Sequence, residues 1–342
     1  AKHTDDHIGL FYTIPENVRK QLFTFGGVPK SLETQLNTFG ETCIMVRKPA
    51  LEVIDNINRT DFNRPVIRYL FYGKPGCGKS CSLMHCLHYA YLKGFYIIHV
   101  PWVWNWFRNN RIEVVYSQSH PGLFDLPIVS ANWLKHFQSQ NSHLLKNNDL
   151  SISENYVWNQ RENTPSGSPL AALVSHGINR VKYAADCVRA IVNELKTSAR
   201  NNKCKVFLAI DGFNALFGEE THLKIEDVRK ISPDQVSLTQ IFLEATKQDW
   251  TNGAVLLTVD QLAGKYNTLH SHLPLYLLGK KGFEHIDPFI CTSVPELNNL
   301  EFNSMLDYYE DRRWLLKPEG RHELSFLSSN NPFQLMNLCA PL

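Results

Sequence analysis

A β-favouring run, Val66-Ile67-Arg68-Tyr69-Leu70-Phe71-Tyr72, ends at a loop that carries three glycines, a lysine and a serine at fixed spacing: Gly73-Lys74-Pro75-Gly76-Cys77-Gly78-Lys79-Ser80. After it, Leu83, Cys86, Leu87, Ala90 and Tyr91 recur at intervals of three and four, which predicts an amphipathic helix from Lys79 to about Gly94. Strand, glycine loop and helix in that order leave few folds open. Glycines let successive backbone N–H groups turn inward, and the helix that starts there points its positive end at the same spot, so the segment reads as a P-loop that grips phosphate. Lys79 is placed to reach the β- and γ-phosphates of a nucleoside triphosphate and the Ser80 hydroxyl to ligate Mg²⁺, with Lys74, Pro75, Cys77 and Cys81 completing the turn. The letters alone arise by chance in about one chain in a hundred of this length, so the flanking strand and helix carry much of the reading.

Further apolar runs suit buried parallel strands: Phe95 to Val100, Val206 to Ile210, Ala254 to Val259 and Phe289 to Val294. Five strands with helical crossovers predict an α/β fold, a doubly wound parallel sheet of the P-loop NTPase kind. Residues 1–60 read as an irregular arm with helical segments at Ser31 to Phe39 and Pro49 to Asn58, and residues 61–295 as the nucleotide-binding domain. A long insertion at about 101–168 separates the second and third strands, and one continuous apolar face predicts a single helix from Pro169 to Ala199. Residues 296–342 then form a small C-terminal helical lid, its last helix opening at Asn331-Pro332.

Val206 to Ile210 ends in Asp211, an acid at the carboxyl edge of a buried strand, where Mg²⁺ or its waters would sit. Asp211-Gly212 also suits a plain turn, and both roles can coexist. Gly212 stands where many ATPases of this class place a glutamate to polarise the attacking water, which points away from a fast hydrolase. Asp260, at the end of another strand, is the weak candidate for a base. Thr246-Lys247-Gln248-Asp249 has the letters of a guanine-reading motif but precedes its strand, at the wrong sheet edge, and is taken as a decoy.

Lysine and arginine (35) nearly balance aspartate and glutamate (33), so there is no broad basic field for naked nucleic acid, and any RNA contact must be local. DNA and membrane are not expected partners. The alternating Trp102, Trp104 and Trp106 suit either packing against protein or stacking with RNA bases. Arg108, Arg111, Lys135, Lys146, Arg161, Arg180, Lys182 and Arg189 could touch phosphates or simply form a solvated face. The eight cysteines form no Cys-x-x-Cys pair and read as reduced core thiols, and His85, His88, His270 and His272 as surface or core imidazoles. No transit peptide is evident at the start of the sequence.

Met45 to Ala50, Arg68 to Ser82, Tyr156 to Asn159, Gly167 to Leu170, Asp211-Gly212 with Asn214 to Leu216, Leu278 to Lys280 with Gly282-Phe283, and Asp287 to Phe289 resemble the death-associated protein three family. These are GTP-binding proteins of the mitochondrial ribosome's small subunit, and the likeness runs nearly end to end. It implies an AAA-like domain with a helical lid, GTP or GDP with Mg²⁺, ribosomal RNA and ribosomal proteins as partners, a mitochondrial matrix location and a tie to apoptosis. The family's phosphate-binding motif falls on Gly73, Gly76, Gly78, Lys79 and Ser80. The arginine that often follows the final Asn-Pro in the wider AAA class is Phe333 here, which with Gly212 favours a nucleotide that holds shape over one that is cycled. Two other readings stay open: an AAA-like switch NTPase with regulated turnover, and a P-loop protein that binds no nucleotide and serves as an interaction surface.

Overall fold

The structure, a computed structural model, describes residues 3–147, 150–225, 229–264, 270–316 and 319–340. Five parallel strands, β1 (Ile67–Tyr72), β2 (Tyr96–Val100), β3 (Val206–Ile210), β4 (Gly253–Thr258) and β5 (Ile290–Ser293), lie side by side in the order β5-β1-β4-β3-β2. The runs of β1 to β4 are continuous rather than alternating because both faces of the sheet are covered there, whereas β5, expected as a buried strand, lies at the sheet edge with Ile290, Cys291 and Ser293 exposed. Successive side chains still go opposite ways: Leu208, Ile210, Val255 and Leu257 enter one core, and Phe207, Ala209, Ala254 and Leu256 the other. Helices α1 (Lys48–Arg59) and α2 (Lys79–Leu92) cover the second face, while α3 (Pro127–Gln140), α4 (Leu170–Asn179), α5 (Ala184–Arg200) and α6 (Ser237–Ala245) cover the first. The chain is therefore doubly wound, as expected. Helix α7 (Pro274–Ile286) leads into β5. Then come α8 (Asn299–Asp311), α9 (Arg321–Ser328) and α10 (Pro332–Cys339).

Three sequence expectations need correction. The insertion expected at about 101–168 is built into the fold rather than added to it: Trp106, Phe107, Phe124, Trp133 and Phe137 are buried in the main core, α3 packs on the sheet, and Trp102 and Trp104 lie half-buried against that core. The expected helix from Pro169 to Ala199 is two helices, reversing at Arg180 (φ −116°, ψ 72°). A Cβ on Gly177 would come within 2.4 Å of Leu134 and 2.7 Å of Cys187, so the first helix crosses its neighbours at contact distance and the second returns against it. The apolar periodicity ran on unbroken because both helices bury their stripes in one core. The arm, thirdly, is ordered: Phe11–Thr13 pairs antiparallel with Cys43–Met45, and helices Glu16–Phe23 and Lys30–Phe39 fill the connection. Three-residue strands carry too short an alternation to read.

Arm and lid share a core of their own, with Cys43 beside Leu297, Phe302, Leu306 and Tyr309, and Phe11 stacked on Tyr308 at 4.3 Å. All eight cysteines are free thiols, mostly buried, although Cys291 on the edge strand is exposed. No helix among the described residues is long and apolar enough to cross a membrane.

Histidines set the acid response. Burial pushes His85 and His136 down to about 3 and His88 to about 4. Unfolded, each would titrate near 6.5, so below that pH the unfolded chain takes up protons that the folded one refuses. Stability is thus complete above about 6.5 and falls as pH drops toward the folded values, by up to about 1.4 kcal/mol per pH unit for each histidine. Urea midpoints measured from pH 7.5 to 4.5 should decline steeply below 6.5; a flat profile contradicts neutral, buried imidazoles.

Candidate nucleotide-binding site

Because β1, β4 and β3 are adjacent, their carboxyl ends deliver three things to one place: the glycine loop, Asp260 just beyond β4, and Asp211 just beyond β3. In the loop, Gly73 and Gly76 take φ of 154° and 82°. A Cβ on Gly73 would lie 2.3 Å from the Val294 carbonyl, and one on Gly76 would lie 2.6 Å from Asn331 Oδ1. Backbone conformation and close approach both require glycine there. The amides of Gly76, Gly78, Lys79 and Ser80 find no protein acceptor among the described residues, as expected of a loop and first helical turn that face a ligand.

Lys79 is buried, its Nζ donating to the Gly73 carbonyl at 2.8 Å and the Lys74 carbonyl at 3.0 Å, and it pairs with Asp260 Oδ2 at 2.8 Å. The other Asp260 oxygen accepts from the Leu262 amide at 2.8 Å. Asn214 fixes this aspartate's backbone, donating to its carbonyl at 3.0 Å and accepting from its amide at 2.9 Å. In this arrangement Asp260 positions the lysine. Ser80 Oγ donates to Asp211 Oδ2 at 2.7 Å, and Thr258 Oγ1 donates to Oδ1. Burial pushes the Asp211 carboxyl up to about 6, against the opposing pull of those two hydrogen bonds. Such a carboxylate gains from a cation beside it.

Gly212 adopts φ 73°, and a Cβ there would fall 3.1 Å from the Trp102 ring. The position next to Asp211 therefore has neither the backbone nor the room for a glutamate. Thr246 to Asp249 sit at the opposite edge of the sheet, before β4, where Asp249 pairs with Lys196 and Arg200 at 2.8 and 2.9 Å. That placement removes them from the site.

Sequence reasoning missed how the loop is held from outside. Arg47, buried at the start of α1, donates to the Cys77 carbonyl at 2.6 Å and forms a two-pronged pair with Glu301 at 3.1 and 3.0 Å. It also reaches the Pro295 and Glu296 carbonyls at 3.0 and 3.2 Å. From the lid, Asn331 Nδ2 donates to the Pro75 carbonyl at 2.9 Å and the Phe333 amide to the Gly76 carbonyl at 3.3 Å. Lys74, more exposed, pairs with Glu296 at 2.6 Å. The one available signal was the cationic Arg47 at the head of an otherwise apolar helix face.

The loop opens on a cleft of about 1060 Å³. Gly78, Lys79, Ser80, Asp211 and Asp260 line it together with Phe11, Met45, Met305 and Met336 from arm and lid, and Trp102 and Arg108 from the segment after β2. Polar phosphate donors adjoin flat apolar walls, the composition a nucleotide's two halves need. Mg²⁺ is held in such sites by one or two protein oxygens together with phosphates and water, and Ser80 with Asp211 meets that requirement. The residues present thus fit a Mg²⁺-nucleotide, with Lys79 and the loop amides on its phosphates.

The family model for mitochondrial ribosomal death-associated protein 3 matches residues 44–338. The chain is 40% identical over 347 aligned residues to small ribosomal subunit protein mS29 of Mus musculus, covering 100% of this chain and 88% of the relative. It is 39% identical to mS29 of Bos taurus, covering 100% and 86%. Among solved structures, a Walker-type ATPase of Pyrococcus abyssi aligns with 85% of this chain and 65% of its own, at 13% identity and a TM-score of 0.45.

Proposed function

The chain belongs to the mitochondrial ribosomal death-associated protein 3 family, and from that premise we propose that it is a component of the small subunit of the mitochondrial ribosome, in the matrix, that holds GTP or GDP with Mg²⁺ as part of its structure. The observation that carries the nucleotide half is the convergence of a glycine cradle, a buried lysine and a half-buried serine bonded to a buried aspartate at one sheet edge. The lysine and loop amides bind the phosphates, while Ser80 and Asp211 hold the metal, which supplies charge neutralisation when bound. Turnover is slow for a steric reason: the position after Asp211 is a left-handed glycine under Trp102, so no side chain there can orient water. Arm and lid both grip the loop, which suits a ligand that shapes the surface offered to ribosomal proteins and RNA.

A switch NTPase is the second reading, and Asp260 is the acid that would serve it. Protein purified natively, denatured and chromatographed should release guanine nucleotide close to one equivalent, with multiple turnover far below the roughly 1 per second of ordinary enzymes. Adenine nucleotide in the eluate, or turnover near that rate, favours the switch.

A further inference from the structure

Among the deeply buried polar side chains that line the cleft, one stands with the apolar residues of arm and lid. Gln35, on the arm helix Lys30–Phe39, is 4% exposed yet lines the cleft beside Phe11, Met45, Met305 and Met336. Its Oε1 accepts from Tyr309 Oη at 3.0 Å. A buried phenol needs an acceptor for its proton, and this oxygen is the one it has among the described residues, which fixes the amide's orientation. Nε2, with no protein acceptor among the described residues, is left as the donor on the cleft side.

We propose that Gln35 is a specificity-determining residue: its Nε2 donates to the 6-carbonyl of a purine, so that the site takes 6-oxopurine nucleotides and rejects adenine. This rests on the nucleotide reading above and adds to it the group that tells the bases apart. The apolar side chains of arm and lid supply ring faces without directional preference, so they bind either purine. A fixed donor does not: guanine and hypoxanthine offer an acceptor at position 6, whereas adenine offers an amino group, which sets donor against donor and leaves both unpaired. Arm and lid hold the amide from two sides, through its own helix and through Tyr309, so reorienting it would strand the phenol.

The test is equilibrium binding of Mg–GDP, Mg–IDP and Mg–ADP to the full chain and to two variants at pH 8. For the wild type, GDP and IDP should bind alike and ADP at least tenfold more weakly. Gln35→Leu should weaken GDP and IDP about tenfold while ADP stays within about threefold. Gln35→Glu keeps an acceptor for Tyr309 and turns an acceptor toward the cleft, so the GDP-to-ADP ratio should fall further or invert. A GDP-to-ADP ratio unchanged in both variants overturns the proposal, as does IDP binding like ADP, which would move recognition to the 2-amino group. Equal loss of all three ligands in both variants assigns Gln35 to packing alone and overturns it too. Failure of the wild type to bind any of the three instead sinks the nucleotide reading on which it rests.

Discussion

Lys79→Ala is expected to weaken Mg²⁺-nucleotide binding by at least about a hundredfold and, separately, to lower the stability of the nucleotide-free protein. The first effect follows from removing the cation that the phosphates meet at the start of α2. The second comes from Asp260, whose carboxylate lies 2.8 Å from the ammonium group, with both side chains largely shielded from water. Deleting one member of a buried ion pair strands the other charge, typically at about 3–5 kcal/mol. The two effects separate by a companion substitution. Lys79→Ala/Asp260→Asn should regain most of the lost melting temperature, because no charge is stranded, and should still fail to bind nucleotide. Retention of wild-type affinity by the single variant removes the phosphate role of the cradle. A double variant no more stable than the single one shows that Asp260 was not the source of the loss.

What the sequence shows of this site is its local part. The order strand, glycine loop, helix is contiguous, and the acid closing β3 sits at the end of an unbroken apolar run, so Lys79, Ser80 and Asp211 could be placed at one edge without coordinates. The four covered strands were readable for the same reason, since burial on both faces leaves long hydrophobic runs, while β5 has the run without the burial. The rest depends on partners far apart in the chain. Arg47 and Glu301 are 254 positions apart, and Asn331 and Pro75 are 256 apart, so no spacing rule connects them. Arm and lid were readable as separate flanking pieces, whereas the structure joins them through one apolar cluster and through the loop they both hold. Gly212 shows a middle case: the missing glutamate was evident, but the need for glycine, imposed by a left-handed turn under Trp102, was not. Helix α4 breaking from α5 is the opposite case, where a true periodicity concealed a reversal because both segments face one core.

Arg47→Ala should produce the largest loss of stability of any single change outside the phosphate site. Its guanidinium is buried with Glu301, also buried, and besides the Nη2 contact of that pair donates to the Cys77, Pro295 and Glu296 carbonyls and, through Nε, to the second Glu301 oxygen. Glu301 is left as an unpaired charge in the variant, so about 3–5 kcal/mol and a melting temperature lower by on the order of 10 °C are expected. Nucleotide affinity should also fall, by about tenfold, because the carbonyl of Cys77 loses the donor that fixes the turn between Gly76 and Gly78. Arg47→Met/Glu301→Gln distinguishes charge from positioning. Glutamine can still accept from the Asn298 amide, as Glu301 does at 3.1 Å, and so preserves the start of α8 while removing the charge. Stability should largely return in that double variant, while nucleotide affinity stays low, since nothing replaces the contact to Cys77. Recovery of both would reduce Arg47 to a counter-ion for Glu301; recovery of stability alone makes it the tie by which arm and lid set the shape of the loop.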